Sequence, residues 1–156
     1  MDSVAGAQLA KAFLAGILER MDIRAEVSLR EDDDRITLDI ETEEIERVIG
    51  RRGQVVDALQ HLVGKHLARQ RTEERQKPVV VDAGGYRQKQ IERLEALALR
   101  MAERVVDEGM PVELAPMSAH DRRIIHMALA ERPDVRTESE GQGDGRHVVV
   151  LPAAAE

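Results

Sequence analysis

The stretch Val48-Ile49-Gly50-Arg51-Arg52-Gly53-Gln54-Val55-Val56 decides how the rest of the chain is read. Two glycines bracket two arginines, with apolar residues on either side. Glycine has no Cβ, so it accepts φ > 0 and lets a backbone lie close against another chain. Ile49 closes one short helical pattern and Val55 opens another, so the Gly50-Arg51-Arg52-Gly53 segment is expected as a tight turn between two helices. The N–H groups at the start of the second helix, where Gln54 stands, carry partial positive charge and favour anions. Arg51 and Arg52 add guanidinium groups that match phosphate geometry. The same four residues also fit a plain helix corner, where glycine is common, so the flanks must decide between corner and phosphate clamp.

Working outward, residues 54–70 place Val55, Leu59, Leu62, Val63 and Leu67 on one helical face, and Lys65, Arg69, Arg71 and Arg75 on the polar side. Gly64 sits mid-helix at a cost of about 1 kcal/mol against Ala, which suggests close packing there. Before the loop, Thr42 is expected as an N-cap, with Glu43, Glu44 and Glu46 in the first turns and Ile45, Val48 and Ile49 inward. Further back the period is two. Ile23, Ala25, Val27 and Leu29, then Ile36, Leu38 and Ile40, alternate with polar residues around Glu31-Asp32-Asp33-Asp34, predicting an antiparallel hairpin. Residues 4–21 form an amphipathic helix carrying Leu9, Phe13 and Ile17 at every fourth position. After Pro78 comes a short strand, Val79-Val80-Val81-Asp82, and then the pair Gly84-Gly85.

The distribution of charge supports a clamp. The 156 residues carry a net charge of −7, which argues against nucleic acid at first sight. Residues 1–46 hold 5 basic and 13 acidic groups, and residues 78–156 hold 10 and 14, whereas residues 47–77 hold 8 basic and 3 acidic. An acidic body with one basic segment binds a polyanion in one place and resists being coated by it elsewhere. The alternative is a solvated helix face with excess arginine. Phe13 and Tyr86 are the sole aromatics, which rules out a surface of stacked aromatic rings for bases. Absence of cysteine excludes disulfides and thiolate metal sites and suits the cytoplasm. The first helical pattern carries Lys11, Glu19 and Arg20, is too short and polar to span a bilayer and lacks a signal cleavage pattern, so a soluble cytoplasmic protein is expected.

The order helix, strand, strand, helix, Gly-x-x-Gly, helix, strand resembles a type II KH domain, whose Gly-x-x-Gly turn grips about four nucleotides of backbone. Gly50 and Gly53 stand at the glycines of that motif, Ile49 precedes them, and the basic middle residues Arg51 and Arg52 are what nucleic-acid-binding members tend to carry.

Gly84-Gly85 marks the expected domain boundary, giving residues 1–83, a linker at 84–85, and a second domain at 86–156. There a long helix is predicted over 86–108, with Ile91, Leu94, Leu97, Ala98, Met101 and Val105 inward and Gly109 as its stop. Val112-Glu113-Leu114 is a short strand candidate. Ser118 should cap a helix with Asp121 three residues on, as in a capping box, and Ile124, Ile125, Ala128 and Leu129 supply its core side before Pro133. Residues 135–138 and 146–151 should pair around the glycine-rich segment 139–145. In Asp121-Arg122-Arg123-Ile124-Ile125-His126, Arg122 and His126 are four apart and share a face; both can donate to phosphate oxygens and both offer a flat surface to a base. An exposed helix face with an incidental histidine fits the same spacing.

Residues 116–129, with Thr137-Glu138-Ser139-Glu140-Gly141, Arg146 and Val148-Val149-Val150, resemble the single-stranded nucleic-acid-binding domain named for its Arg-x-x-x-His, the R-3-H domain. A KH domain followed directly by an R-3-H domain resembles the bacterial Jag family, also called KhpB or SpoIIIJ-associated proteins, over roughly residues 1–152. The resemblance implies an α+β protein: a type II KH domain (αββααβ, three-stranded sheet) and a small α+β R-3-H domain. It also implies binding of single-stranded RNA, with single-stranded DNA as the alternative strand, through Gly50, Arg51, Arg52, Gly53, Gln54, Lys65, Arg69, Arg122, Arg123 and His126. Post-transcriptional control linked to cell elongation and division, and by name a membrane insertase, come with it. So does pairing with a small single-KH protein, KhpA, or self-association, through residues 55–67 and the first helix. Many members carry a further small N-terminal domain and linker; neither is expected here, and roles tied to them are not carried over.

Other chemistry finds no support in the sequence. His61 and His66 are five apart and His120 and His126 six apart, poor spacings for one helix face, so no metal is expected. Asp32-Asp33-Asp34 reads as an acidic hairpin turn rather than a cation site. The serines lack a Gly-x-Ser-x-Gly context and no Gly-x-x-x-x-Gly-Lys phosphate loop exists, so neither enzyme activity nor a cofactor is expected.

Overall fold

A computed structural model describes residues 2–70 and 77–154. Contacts divide the chain into two compact units, one ending at Arg87 and the other beginning at Gln88. The first contains α1 (Asp2–Arg20), β1 (Glu26–Glu31), β2 (Ile36–Glu41), α2 (Ile45–Ile49), α3 (Gln54–Gln70) and β3 (Val79–Ala83). This is the α-β-β-α-α-β order of a type II KH domain. Its sheet runs β1-β2-β3, with β1 antiparallel and β3 parallel to the central β2. Leu14, Ile36, Leu38, Ile40, Val48, Val56, Val63 and Val81 are fully buried between helices and sheet, each contributing roughly 1.5–3 kcal/mol of transfer free energy. Phe13 of α1 stacks flat on the His66 ring of α3, with centroids 3.8 Å apart.

Several local expectations change in this unit. The alternation at Ile23 and Ala25 is a helix ending rather than a strand. Asp22 N–H donates to Glu19 O and Ile23 N–H to Leu18 O, each at 3.0 Å, with Asp22 at φ 57°. That is a Schellman closure whose apolar residue, Ile23, turns inward. Thr42 does not cap α2. Its hydroxyl donates to Arg24 O at 2.7 Å and accepts from Glu44 N–H at 3.1 Å, tying the exit of β2 to the entry of β1; Glu44 occupies the N-cap position. On α3, Val56 takes the core position expected of Leu62, which is 47% exposed. The core row Val56, Leu59, Val63, Leu67 leaves Leu62 about 100° off its centre. A Cβ on Gly64 would meet nothing within 4 Å, so close packing does not explain that glycine. Arg71 and Arg75 lie outside the described residues. Asp32 Oδ1 accepts the N–H groups of Asp34 and Arg35, both at 2.9 Å, which holds its carboxyl below the usual range and makes the acidic run a closed turn.

The second unit contains most of α4 (Tyr86–Glu108), then β4 (Val112–Glu113), α5 (Ala119–Leu129), β5 (Val135–Glu140) and β6 (His147–Pro152). The sheet order is β4-β6-β5, antiparallel throughout. Ala102 joins Leu94, Ala98 and Val105 as buried residues of α4, a position that a search for large side chains passes over. The Ser118 hydroxyl caps α5 by accepting Asp121 N–H at 3.1 Å, while Asp121 Oδ2 faces Gln90 Nε2 at 3.4 Å. β5 runs two residues further than its apolar pattern, through Ser139 and Glu140, because the ladder pairs them with Val148 and His147. No helix among the described residues is long and apolar enough to cross a membrane.

Candidate nucleic-acid interface

The turn between α2 and α3 is built on conformations that glycine alone adopts without strain. Gly50 has φ 71° and ψ −177°, donates its N–H to Glu46 O at 2.9 Å, and stops α2. A Cβ there would lie 2.4 Å from Val55 Cγ2. Gly53, buried at φ 77°, is closed off by the Tyr86 ring, with Oη, Cε1 and Cζ at 2.7, 2.8 and 2.9 Å from where a Cβ would stand. Between them Arg52 holds a left-handed conformation, φ 54° and ψ 29°. This turns Arg51 and Arg52 outward, and both side chains are exposed. Strain of about 1–3 kcal/mol at a non-glycine residue persists only where the surroundings impose it, and such sites cluster at ligand contacts.

α3 begins directly at Gln54, so its first-turn N–H groups open onto this loop. Asp57, the one acid of that turn, would repel a phosphate there. Its carboxylate is bound by Arg87 Nη1 at 2.9 Å. Arg87 further donates to Val81 O at 2.9 Å and to Gln60 Oε1 at 3.0 Å, and Gln60 Oε1 also accepts Val81 N–H at 3.0 Å. One guanidinium thus locks α3 to β3 and neutralises the one acid in the first turn of α3. Sequence reading missed it because Asp57 and Arg87 are 30 positions apart and neither belongs to a motif.

Lys65 and Arg69 are exposed on α3. At 100° and 1.5 Å per residue they stand about 20° and 60° round from Gln54 and about 16 and 22 Å along the axis. They extend the loop's charge along one side and do not converge on it. Two other cations of the basic segment are spent on the fold. Arg47 donates to Met21 O at 2.9 Å, Asp22 O at 3.2 Å and Glu44 Oε1 at 2.6 Å. Lys77 binds Glu31 at 2.8 Å and Asp32 O at 2.7 Å.

In the second unit α5 carries Arg122, Arg123 and His126. Arg123 is exposed. Arg122 Nη1 donates to Met117 O at 2.7 Å, using one of five guanidinium N–H groups. His126 is not the pair of spare donors that its spacing suggested. Nδ1 lies 2.6 Å from Thr137 Oγ1 and Nε2 2.8 Å from Ser139 Oγ, so β5 engages both ring nitrogens. Partial burial, and then the charge of Arg122, push its pKa below the ordinary 6.5. A neutral imidazole suits this setting, with one nitrogen donating to a hydroxyl and the other accepting from one. Alternation of Thr137 and Ser139 on a strand facing α5 is the signal that would have found these partners.

Comparison with known proteins matches residues 7–80 to the KH domain of KhpA/KhpB and residues 92–152 to the R-3-H domain. The chain is 34% identical over 145 residues to the RNA-binding protein KhpB of Bacillus subtilis, covering 92% of this chain and 69% of that protein. It is 32% identical to the protein of the same name from Clostridium symbiosum, covering 88% and 62%. For that of Streptococcus pneumoniae serotype 2 the identity is 34%, covering 89% of this chain and 42% of the relative.

Proposed function

Since the chain belongs to the KhpB family, we propose that it binds single-stranded RNA, with single-stranded DNA as the alternative strand, in a non-catalytic, cytoplasmic role. The observation that carries this reading is the Gly50-Arg51-Arg52-Gly53 turn, which presents two exposed guanidinium groups at the start of α3. Phosphates would sit over the turn, against Arg51, Arg52 and the first N–H groups of α3, with the glycines permitting the approach and Gln54 beside them. Lys65 and Arg69 would extend that track. In the second unit Arg123 and the remaining N–H groups of Arg122 would meet phosphates. His126 would brace β5 and offer its ring face to a base. Phosphate contacts hold a strand without reading it, so affinity should depend strongly on salt and weakly on sequence. The names of the relatives, RNA-binding proteins, support the same reading. Replacing Arg51 and Arg52 by Asp should abolish binding to a single-stranded oligonucleotide at low salt with the fold unchanged by circular dichroism. Unchanged affinity would sink the clamp.

A second reading has its own observation. Leu9 on α1 and Leu62 on α3 are 38% and 47% exposed, on two helices that pack together, and Gly64 leaves open space on the same helix. A KH–KH pairing, with a KhpA-like protein or with a second copy, would cover such residues. Light scattering after size exclusion, with and without nuclease, separates the readings. A complex that holds no nucleic acid and ignores oligonucleotides would favour an adaptor.

A further inference from the structure

Three side chains that the proposed interface does not use meet on the outer face of the second unit's sheet. Glu113 of β4, His147 of β6 and Glu140 of β5 each bring one ligand atom within 4.8 Å of the others. The register explains the meeting. Glu140 pairs directly with His147, and Glu113 pairs with Val149, two residues along the same face of β6. Val148 and Val150 alternate to the opposite, core face.

Hydrogen bonding selects the tautomer of the neutral histidine ring. Nδ1 lies 3.0 Å from Gly145 O, and a carbonyl only accepts, so Nδ1 carries the hydrogen. In the neutral ring Nε2 then bears a lone pair. That atom is buried without a hydrogen-bond partner, and its nearest charged neighbour, Glu113 Oε2, is 4.0 Å away. Acceptors therefore face one another, and two carboxylates add like charge. Glu138, the next acid on this face, is already paired with Arg136. A cation or an added proton would both engage the Nε2 lone pair and offset the charge of the two carboxylates.

We propose that Glu113, Glu140 and His147 bind a divalent transition-metal ion of the zinc type. Imidazole with two carboxylates is a ligand set such ions take, whereas magnesium prefers oxygen and keeps its water. A histidine held through Nδ1 to a backbone carbonyl is the usual support of a metal-bound Nε2. Ligand distances of about 2.0–2.2 Å would bring the three atoms about 3.3 Å apart. Glu113, whose side chain is 72% exposed, would be free to rotate toward the ion. The ion would join all three strands and fix the end of β5 that carries Ser139, the partner of His126. Sequence spacing could not reveal such a site, and it runs against the expectation that no metal is held.

The test uses the full chain, stripped with EDTA and titrated with zinc chloride by calorimetry. One-to-one binding is expected, with at least a tenfold loss of affinity in Glu113→Gln/Glu140→Gln, and no heat from magnesium at the same concentration. Manganese at low stoichiometry should broaden the amide signals of Val148 and Val149 in the native chain but not in His147→Gln, whose remaining spectrum reports that the sheet is intact. Unchanged zinc affinity in the double variant, broadening centred on His61, His66 or His120, or no binding at millimolar zinc would each overturn the proposal.

Discussion

Gly53→Ala should damage the first unit through two separable costs. At φ 77° an alanine pays the left-handed penalty, about 1–2 kcal/mol. Its Cβ would also stand 2.7 Å from the Tyr86 hydroxyl oxygen and 2.8 and 2.9 Å from two of its ring carbons, where carbon atoms rest at about 3.5–4.0 Å. Tyr86 is half-buried and packed against the core, so it has little room to retreat. Overpacking of this kind costs about 1–3 kcal/mol. The sum, about 2–5 kcal/mol, is a large part of the 5–15 kcal/mol that holds a typical domain.

A single global melting curve does not assign a loss of stability to one of two units. Hydrogen exchange at Leu38 and Ile40, on the central strand of the first unit, reports that unit alone. At 1.4 kcal/mol per decade, protection there should fall between about 30-fold and a few thousandfold. Tyr86→Ala removes the obstacle and leaves the backbone penalty. In that background Gly53→Ala should cost only about 1–2 kcal/mol. Equal losses in both backgrounds would refute the role given to the Tyr86 ring, and full protection in Gly53→Ala would refute both terms.

The Arg51→Ala/Arg52→Ala variant should weaken oligonucleotide binding and make it less sensitive to salt. With a slope of about −0.7 per phosphate contact on a single strand, the log–log plot should become shallower by about 1.4, read by fluorescence anisotropy across a salt series; an unchanged slope would place the phosphates elsewhere. Gly64→Ala should stabilise the first unit by about 1 kcal/mol, because the added methyl meets nothing; a loss of stability would show that this backbone is not free. His126 binds its proton less readily folded than unfolded. Its contribution is therefore complete above the ordinary 6.5 and is lost as pH falls through the lower folded value. Hydrogen-exchange protection at Val148 and Val150, on the central strand of the second unit, should show this loss as pH falls below 6.5, and His126→Gln should flatten it.

What was legible in the sequence is what neighbouring residues decide among themselves. Periodicity placed α4 at its observed bounds, the Ser118 hydroxyl caps α5 as its spacing required, and Gly50 and Gly53 mark a turn that no other residue fits. The two hairpins, β1 with β2 and β5 with β6, are the pairings that short loops between alternating strands predict. The misreadings came where two local rules compete. Ile23 and Ala25 continue an alternation, yet Asp22 closes the helix and claims Ile23 for its apolar cap. Thr42 has the chemistry of an N-cap but binds across to Arg24. Side-chain partners distant in sequence were out of reach. Thr137 and Ser139 engage His126 only because β5 lies under α5, and Arg87 finds Asp57 only because α4 starts beside α3.

Those distant partners also change how the chain's charge should be counted. The segment 47–77 is basic by a margin of five residues, which suggests a continuous cationic stripe. In the folded unit Arg47 and Lys77 are committed to carbonyls and carboxylates, while Arg87, from outside the segment, cancels the one acid in the first turn of α3. Local charge at the loop is therefore set by which ions are already paired. Removing Arg87 would leave the Asp57 carboxylate unpaired beside the turn, so a residue outside the turn sets how much of the charge of Arg51 and Arg52 is offset there. A net charge of −7 and a polyanion partner are then compatible. Repulsion over most of the surface would confine a bound strand to the exposed guanidinium groups at the turn and the polar side of α3.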